Sequence, residues 1–239
     1  MSNEKDKNRR FDENGESYIE DEKFLQKRCE MVDKLHRQDI LQSEPVIQAM
    51  LHTPRQLFVP NHLHNAAYQD SPLPIGKHQT ISAPHMHAMM CEYLEISPGM
   101  KVLEIGTGSG YHTALLSYLV GKDGIVFTIE RIKDLAEMAQ KVFRILHLQN
   151  IKMKITDGTK GWPEHAPYDR ILVTAASPNI PEILIEQLSS KNGLICIPTG
   201  SQYGNQELLV GKKFKGNFQT IKKCDVRFVP LIGKYGFKP

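Results

Sequence analysis

Three glycines at alternate positions, Gly106, Gly108 and Gly110, stand in the run V-L-E-I-G-T-G-S-G-Y-H from Val102 to His112. A short apolar run ends just before them, and an apolar-periodic run begins just after. They read as the turn from a buried strand into a helix, where residues without a side chain let the backbone bend sharply and approach a ligand at the carboxyl edge of a sheet. A dinucleotide site of the G-x-G-x-x-G kind would need its third glycine at position 111, which is Tyr111, so a pyrophosphate ligand is disfavoured. Glu130 ends the next apolar run, about twenty residues beyond the glycines, where a carboxylate can accept both ribose hydroxyls of a nucleoside. Asp157 and Gly158 close a third such run. One of these features alone would say little, since glycines and acids commonly fill turns. Three at the ends of consecutive strands point to a nucleoside-binding edge.

Other residues invite chemistry that their spacing does not support. Ser109 would be a hydrolase nucleophile only within G-x-S-x-G, and its neighbours two positions away are Thr107 and Tyr111. His62, His64, His78, His85 and His87 cluster in sequence, but no Cys or carboxylate joins His85 and His87 at ligand spacing. An H-x-H pair on a helix also points its rings apart, so no metal is expected. Cys29, Cys91, Cys196 and Cys224 are isolated and form no C-x-x-C pair, as suits thiols that stay reduced.

With Glu104 in front, the glycine turn becomes E-x-G-x-G-x-G, which resembles the S-adenosylmethionine-binding motif of Rossmann-like methyltransferases. The runs A-Y-Q-D-S-P-L-P-I-G from Ala67 and Q-T-I-S-A-P-H-M-H-A from Gln79 closely resemble the signature of the protein-L-isoaspartate O-methyltransferases. So do L-F-V-P from Leu57, D-G-T-K-G-W-P-E-H-A-P-Y-D-R-I-L-V-T-A-A from Asp157, and F-V-P-L-I-G from Phe228. The likeness extends from about residue 28 to the end. It implies transfer of the sulfonium methyl group of S-adenosylmethionine to the free α-carboxylate of L-isoaspartyl residues in damaged proteins, leaving S-adenosylhomocysteine. The ester then closes to a succinimide, and hydrolysis restores some normal aspartyl bonds.

The resemblance also implies residue roles. Gln79, Thr80, Ile81, His87, Glu104, Gly106, Thr107, Gly108, Gly110, Glu130, Asp157 and Gly158 would hold the cofactor, the last two near its adenine. Ser82 corresponds to the family's active-site serine, and Val229 and Leu231 would offer backbone groups to the substrate. Tyr68 and Asp70 would fix the shape of the loop, while Lys160, Trp162 and Pro163 read as loop architecture. One departure is His78, where bacterial relatives often carry glycine.

A carboxylate nucleophile has a pKa of about 4 and is ionised at neutral pH, so no general base is required. The reaction needs the carboxylate oxygen, methyl carbon and sulfur aligned, in a site dry enough to unmask the oxygen. Ser82 can donate to one carboxylate oxygen and leave the other to attack. Without the resemblance, a serine just ahead of Pro84 would read as a helix cap. Two other readings compete: a methyltransferase with a different acceptor, and a cofactor-binding adaptor that has lost catalysis. Ser82, Glu104, Glu130 and Asp157 are all present, which argues against the adaptor, and no base stands out near the loop for a hydroxyl acceptor.

These residues need a scaffold, and the chain outlines one. Strands at 101–105, 125–129, 151–155, 170–173 and 194–197 alternate with helices at 111–120, 132–148 and 181–189. Two or three more strands follow within 207–214 and 222–232. The alternation predicts an α/β fold, Rossmann-like and doubly wound, with a mostly parallel sheet. The resemblance adds that the last strands are ordered differently from most methyltransferases. Ahead of the sheet lie two short helices within 24–51, the second starting at Pro45, then an ordered loop at 53–84 and a helix at 84–94.

Residues 1–22 are charged and poor in apolar side chains, which predicts a disordered or loosely attached extension. Residues 23–239 then make one domain: helices and active-site loop (23–95), cofactor-binding core (96–200) and C-terminal strands (201–239). A chain of 239 residues can bury a core without disulfides or a structural metal. Its formal charge of +3 is spread without a basic run, so nucleic acid is not expected as a partner. No apolar run approaches the roughly 20 residues that span a bilayer, and the N-terminus lacks the apolar core of a signal peptide. A monomer in the cytoplasm is the default expectation.

Overall fold

The computed structural model describes residues 9–11, 17–19 and 21–238. Within the segment expected to be a loose extension, β1 (Arg9–Phe11) pairs antiparallel with β2 (Ser17–Ile19), while 1–8, 12–16 and 20 lie outside the described residues. Helix α1 (Glu22–Arg37) starts at Asp21, whose carboxylate accepts the Lys23 N–H at 2.9 Å, and it turns Met31, Val32 and Leu35 inward. Helix α2 (Glu44–His52) carries Pro45 in its first turn, where a missing N–H breaks no helical bond.

The 53–84 loop consists of two 3-10 turns, Arg55–Phe58 and Asn61–Ala66, and a hairpin of β3 (Leu73–Gly76) and β4 (Gln79–Ile81). Lys77 and His78 form the hairpin's two-residue turn, with φ of 51° and 56°. Glycine or asparagine suits such a turn best. His78 therefore stands where glycine would be unstrained and a side chain costs about 1–2 kcal/mol. Helix α3 (Pro84–Leu94) begins almost at once, which leaves Ser82 between a strand and a helix N-terminus.

Seven strands form the main sheet: β5 (Lys101–Ile105), β6 (Ile125–Glu130), β7 (Ile151–Ile155), β8 (Arg170–Val173), β9 (Lys191–Gly200), β10 (Gln206–Phe214) and β11 (Asn217–Val226). Their order is β7-β6-β5-β8-β9-β10-β11; β5 to β9 run parallel, and β10 and β11 are each antiparallel to their neighbours. Helices α4 (Tyr111–Val120), α5 (Lys133–Ile145) and α6 (Glu182–Glu186) lie in the connections. Alternate residues of a strand face opposite sides. Val102 thus joins a core shared with α1 to α5, and Leu103 and Ile105 join a second one with Leu184 and Tyr168. Burial on both faces explains why β5, β6 and β8 read as nearly continuous apolar runs. From β5 the chain proceeds to β6 and β7 on one side, then returns to β8 on the other. A crevice opens at the carboxyl ends of strands where the order reverses in this way.

Several expected boundaries shift; β9, expected at 194–197, spans Lys191–Gly200. Helix α5 stops at Ile145 rather than 148, because His147 turns left-handed (φ 52°) and the Leu148 N–H reaches back to the Phe143 carbonyl at 3.0 Å. Helix α6 is shorter than 181–189, since Leu188 already bridges to Tyr168. Strand β11 spans Asn217–Val226 instead of 222–232: the left-handed pair Lys215 and Gly216 (φ 49° and 83°) folds it early onto β10.

Candidate active site

Gly106 leaves β5 at φ 94°, and a Cβ on it would lie 2.4 Å from Thr174 Oγ1. That hydroxyl donates to the Gly106 carbonyl at 2.6 Å, tying the ends of β5 and β8 together. Gly110, at φ 89°, precedes α4, and a Cβ there would press to 2.7 Å from the Phe143 ring. Glu130 closes the turn from the end of β6. Its Oε2 accepts the Gly108 N–H at 2.9 Å, and its Oε1 accepts those of Arg131 and Ile132 at 2.8 and 2.9 Å. A carboxylate can accept about four hydrogen bonds, so Glu130 shapes the turn and still has capacity for a ligand.

This turn floors a cleft whose space, open solvent included, is about 770 Å³. Gly106, Thr107 and Gly108 border it from the turn, Glu130 and Gly158 from the next strand ends. Gln79, Thr80, Ile81 and Ser82 approach from the hairpin, His87 from α3, and Val229 and Leu231 from the C-terminal segment. Glu104, Gly110 and Asp157 do not border the cleft.

Glu104 is fully buried behind the turn. Its Oε2 accepts hydrogen bonds from Thr113 Oγ1 and, at 2.7 Å, from Thr128 Oγ1, and its Oε1 has no partner among the described residues. Thr128 has one hydroxyl hydrogen, committed to Glu104, so Thr107 must donate to Thr128 at 2.6 Å. A relay thus runs from a cleft residue to the buried acid. Burial pushes the Glu104 carboxyl up to about 8 in spite of its two hydroxyl donors. Asp157 accepts from the Thr159 N–H and hydroxyl at 2.9 and 2.7 Å and from the Lys234 N–H at 2.9 Å. Partial burial opposes its ionisation, yet these bonds hold the carboxyl below its ordinary range. It fastens the C-terminal segment beside Gly158.

His87 is 5% exposed, and burial holds its pKa well below the ordinary value. Among the described residues neither ring nitrogen makes a well-formed hydrogen bond, and the ring meets Tyr111 at 4.9 Å and His112 at 4.6 Å, both edge-on. His112 also borders the cleft, and burial lowers it to about 3. Sequence reasoning missed both His112 and Thr174; their only signals were positions just inside α4 and just past β8. His85 faces away from His87: its N–H and Nδ1 meet Asp70 Oδ1 at 2.9 and 2.8 Å. Tyr68 donates to Gln56, so Tyr68 and Asp70 both brace the loop. Among the described residues, no three His, Cys, Asp or Glu side chains gather to hold a metal ion.

The apolar 228–232 run leaves the sheet but stays in register with the chain after β8. The Val229 carbonyl accepts the Ala176 N–H at 2.8 Å, and the Leu231 N–H donates to the Ala176 carbonyl at 2.7 Å. Of the two C-terminal residues expected to meet substrate, Val229 and Leu231, Leu231 is buried in the second core.

A cleft with exposed turn backbone, a carboxylate at the second strand end and buried imidazole nitrogens that make no well-formed hydrogen bond among the described residues fits a nucleoside-bearing cofactor such as S-adenosylmethionine. Known proteins agree. The family model described as protein-L-isoaspartate(D-aspartate) O-methyltransferase matches residues 26–236. A protein-L-isoaspartate O-methyltransferase of Methanosarcina mazei is 50% identical over 216 residues, covering 89% of this chain and 88% of the relative. That of Hyperthermus butylicus is 46% identical, covering 92% and 94%. Among solved structures, a Plasmodium falciparum protein described as a protein-L-isoaspartate O-methyltransferase, in complex with S-adenosyl-L-homocysteine, superposes with a TM-score of 0.75 at 29% identity, covering 86% of this chain and 98% of that one. The strand order, the crevice at its reversal and these likenesses converge: the chain belongs to the protein-L-isoaspartate(D-aspartate) O-methyltransferase family.

Proposed function

We propose that Ser82 orients the acceptor carboxylate in the family's reaction, methyl transfer from S-adenosylmethionine to the free α-carboxylate of L-isoaspartyl residues, which starts repair through a succinimide. One observation carries the reading. Ser82, with Thr80, Thr174 and Val229, borders both the cleft and a second groove beside it, whose far wall includes Pro72, His85 and Arg227. One hollow suits a nucleoside and the other a peptide, and Ser82 stands where they meet.

S-adenosylmethionine, when bound, supplies an electrophilic methyl group on a sulfonium. The chain's own contribution is placement. The Gly106–Gly108 backbone and Glu130 would hold the ribose side, Gly158 the base, and Gln79, Thr80 and Ile81 would cover the cofactor from the hairpin. Ser82 donates to one acceptor oxygen and leaves the other free. The acceptor is already ionised at neutral pH, so no residue need remove a proton. His87 and His112, kept neutral by burial, add no cation beside the sulfonium. Transfer consumes one negative and one positive charge, which a poorly hydrated cleft favours. Val229 has its carbonyl engaged, which leaves its N–H as the group available to a peptide.

Work in the cytoplasm as a monomer, without nucleic acid, belongs to the same reading. It is supported by the scattered charge and by the free cysteines. Among the described residues, no helix is long and apolar enough to cross a membrane. The test is transfer of labelled methyl groups to a synthetic isoaspartyl peptide beside its aspartyl isomer. Label on the isoaspartyl peptide alone is expected; label on neither, with the cofactor still bound, would require another acceptor.

A further inference from the structure

The segment that carries Ser82 has a buried cation behind it. Arg55, in the first 3-10 turn, is 0% exposed. Its Nε donates to the Ala67 carbonyl at 2.7 Å and its Nη2 to the Ser82 carbonyl at 2.6 Å. The guanidinium lies 4.8 Å over the ring of Tyr111, the residue that follows Gly110 and begins α4. Among the described residues no carboxylate forms an ion pair with it. Burial lowers its pKa to about 10, which still leaves it charged at neutral pH. Stability alone does not account for such a residue, because well-packed apolar side chains often replace buried charges at no loss.

We infer that Arg55 is a positioning residue for methyl transfer: by holding the Ser82 carbonyl and stacking on Tyr111, it sets the Ser82 peptide against the glycine turn. The inference rests on the reading of Ser82 given above. It has a direct consequence for the next peptide group. The 82–83 bond is trans, so a Ser82 carbonyl turned toward Arg55 directs the Ala83 N–H the opposite way. Ala83 borders the peptide groove, and among the described residues its N–H has no acceptor. A second donor therefore stands beside the Ser82 hydroxyl, at the start of the eleven-residue helix α3, whose dipole favours an anion. Both donors face the acceptor carboxylate only while Arg55 keeps its grip.

Arg55→Lys keeps the charge but cannot donate to two carbonyls through one rigid fork. The variant should fold, melt below the parent because a buried carbonyl loses its donor, and bind S-adenosylmethionine as the parent does, while kcat on an isoaspartyl peptide, measured well below the melting range, falls about tenfold or more with KM little changed. In a cycle with Ser82→Ala, the effect of Arg55→Lys should shrink once the serine is gone. Parental turnover would overturn the inference. So would a loss that tracks weakened cofactor binding or melting, or full additivity with Ser82→Ala. Should the lysine variant not fold, Arg55→Met, similar in length and uncharged, is read in the same way; failure of both to fold makes Arg55 a folding residue and also overturns the inference. If Ser82→Ala is itself silent, the serine reading fails. If it is impaired and Arg55→Lys is not, only Arg55's role fails.

Discussion

The floor and the wall of the cleft are held in place by opposite means. The floor is held by backbone at the edge of the sheet: Gly108, Arg131 and Ile132 donate N–H groups to one carboxylate, Glu130, where two adjacent parallel strands end. The wall is assembled from afar: Arg55 reaches Ser82 across 27 positions, and Asp70 reaches His85 across 15. A floor made by the sheet binds whatever the turn is shaped for. A wall made by single side chains sets how well an acceptor is aimed. Damage to the first should therefore appear in cofactor affinity, and damage to the second in turnover.

Glu130→Ala is the severest test of the floor, because three N–H groups lose their acceptor along with any ribose contact. Calorimetry should show S-adenosylmethionine binding weakened by about 1–3 kcal/mol; unchanged affinity would break the comparison at its base. On the wall, Ser82→Ala should lower kcat about tenfold, roughly the worth of one hydrogen bond to a charged group, and leave cofactor affinity nearly unchanged. Equal turnover would remove the serine from the acceptor site; it does not cap α3, whose N-cap is Ala83.

Glu104→Gln separates the floor's shape from its protonation. Burial raises the folded pKa from 4.5 to about 8, so below 4.5 both folded and unfolded states hold the proton and the burial costs nothing. Between those values the unfolded chain releases a proton that the fold retains, and stability falls as pH rises. The melting temperature of Glu104→Gln relative to the parent should therefore climb from pH 5 to pH 8; a constant difference would mean Glu104 is not held neutral. The mildest change is Asp70→Asn, which keeps an acceptor for the His85 N–H. Its partner is partly exposed, so stability should move by no more than about 1 kcal/mol and turnover by less than about twofold. A larger loss would show that the wall leans on this link as heavily as on Arg55.

The floor was readable in the chain because its parts are consecutive: apolar strand, glycines, helix, then an acid at the next strand end. The motif's spacing did not reveal depth. Glu104 belongs to the pattern, yet it points with Val102 to the helix-covered side of β5 rather than into the cleft. Arg55 was invisible for the opposite reason, since no local period marks a side chain whose partners lie 12 and 27 residues away. The last strands were legible as strands, but their direction depends on short turns such as Lys215-Gly216, which fall between the apolar runs. His78 shows the same limit. Its departure from glycine could be noted, whereas its left-handed backbone could be seen only in the hairpin.

Asp157 and Gly158 form the kind of step at which a polypeptide ages chemically, because an aspartyl side chain can close on the nitrogen of a following glycine. Closure proceeds through the protonated acid and needs a side chain free to swing across the backbone. Asp157 is neither: two donors from Thr159 and one from Lys234 fix its oxygens and favour the ionised form. The fastening that brings the C-terminal segment to the cleft thereby also shields this step from the lesion its family mends.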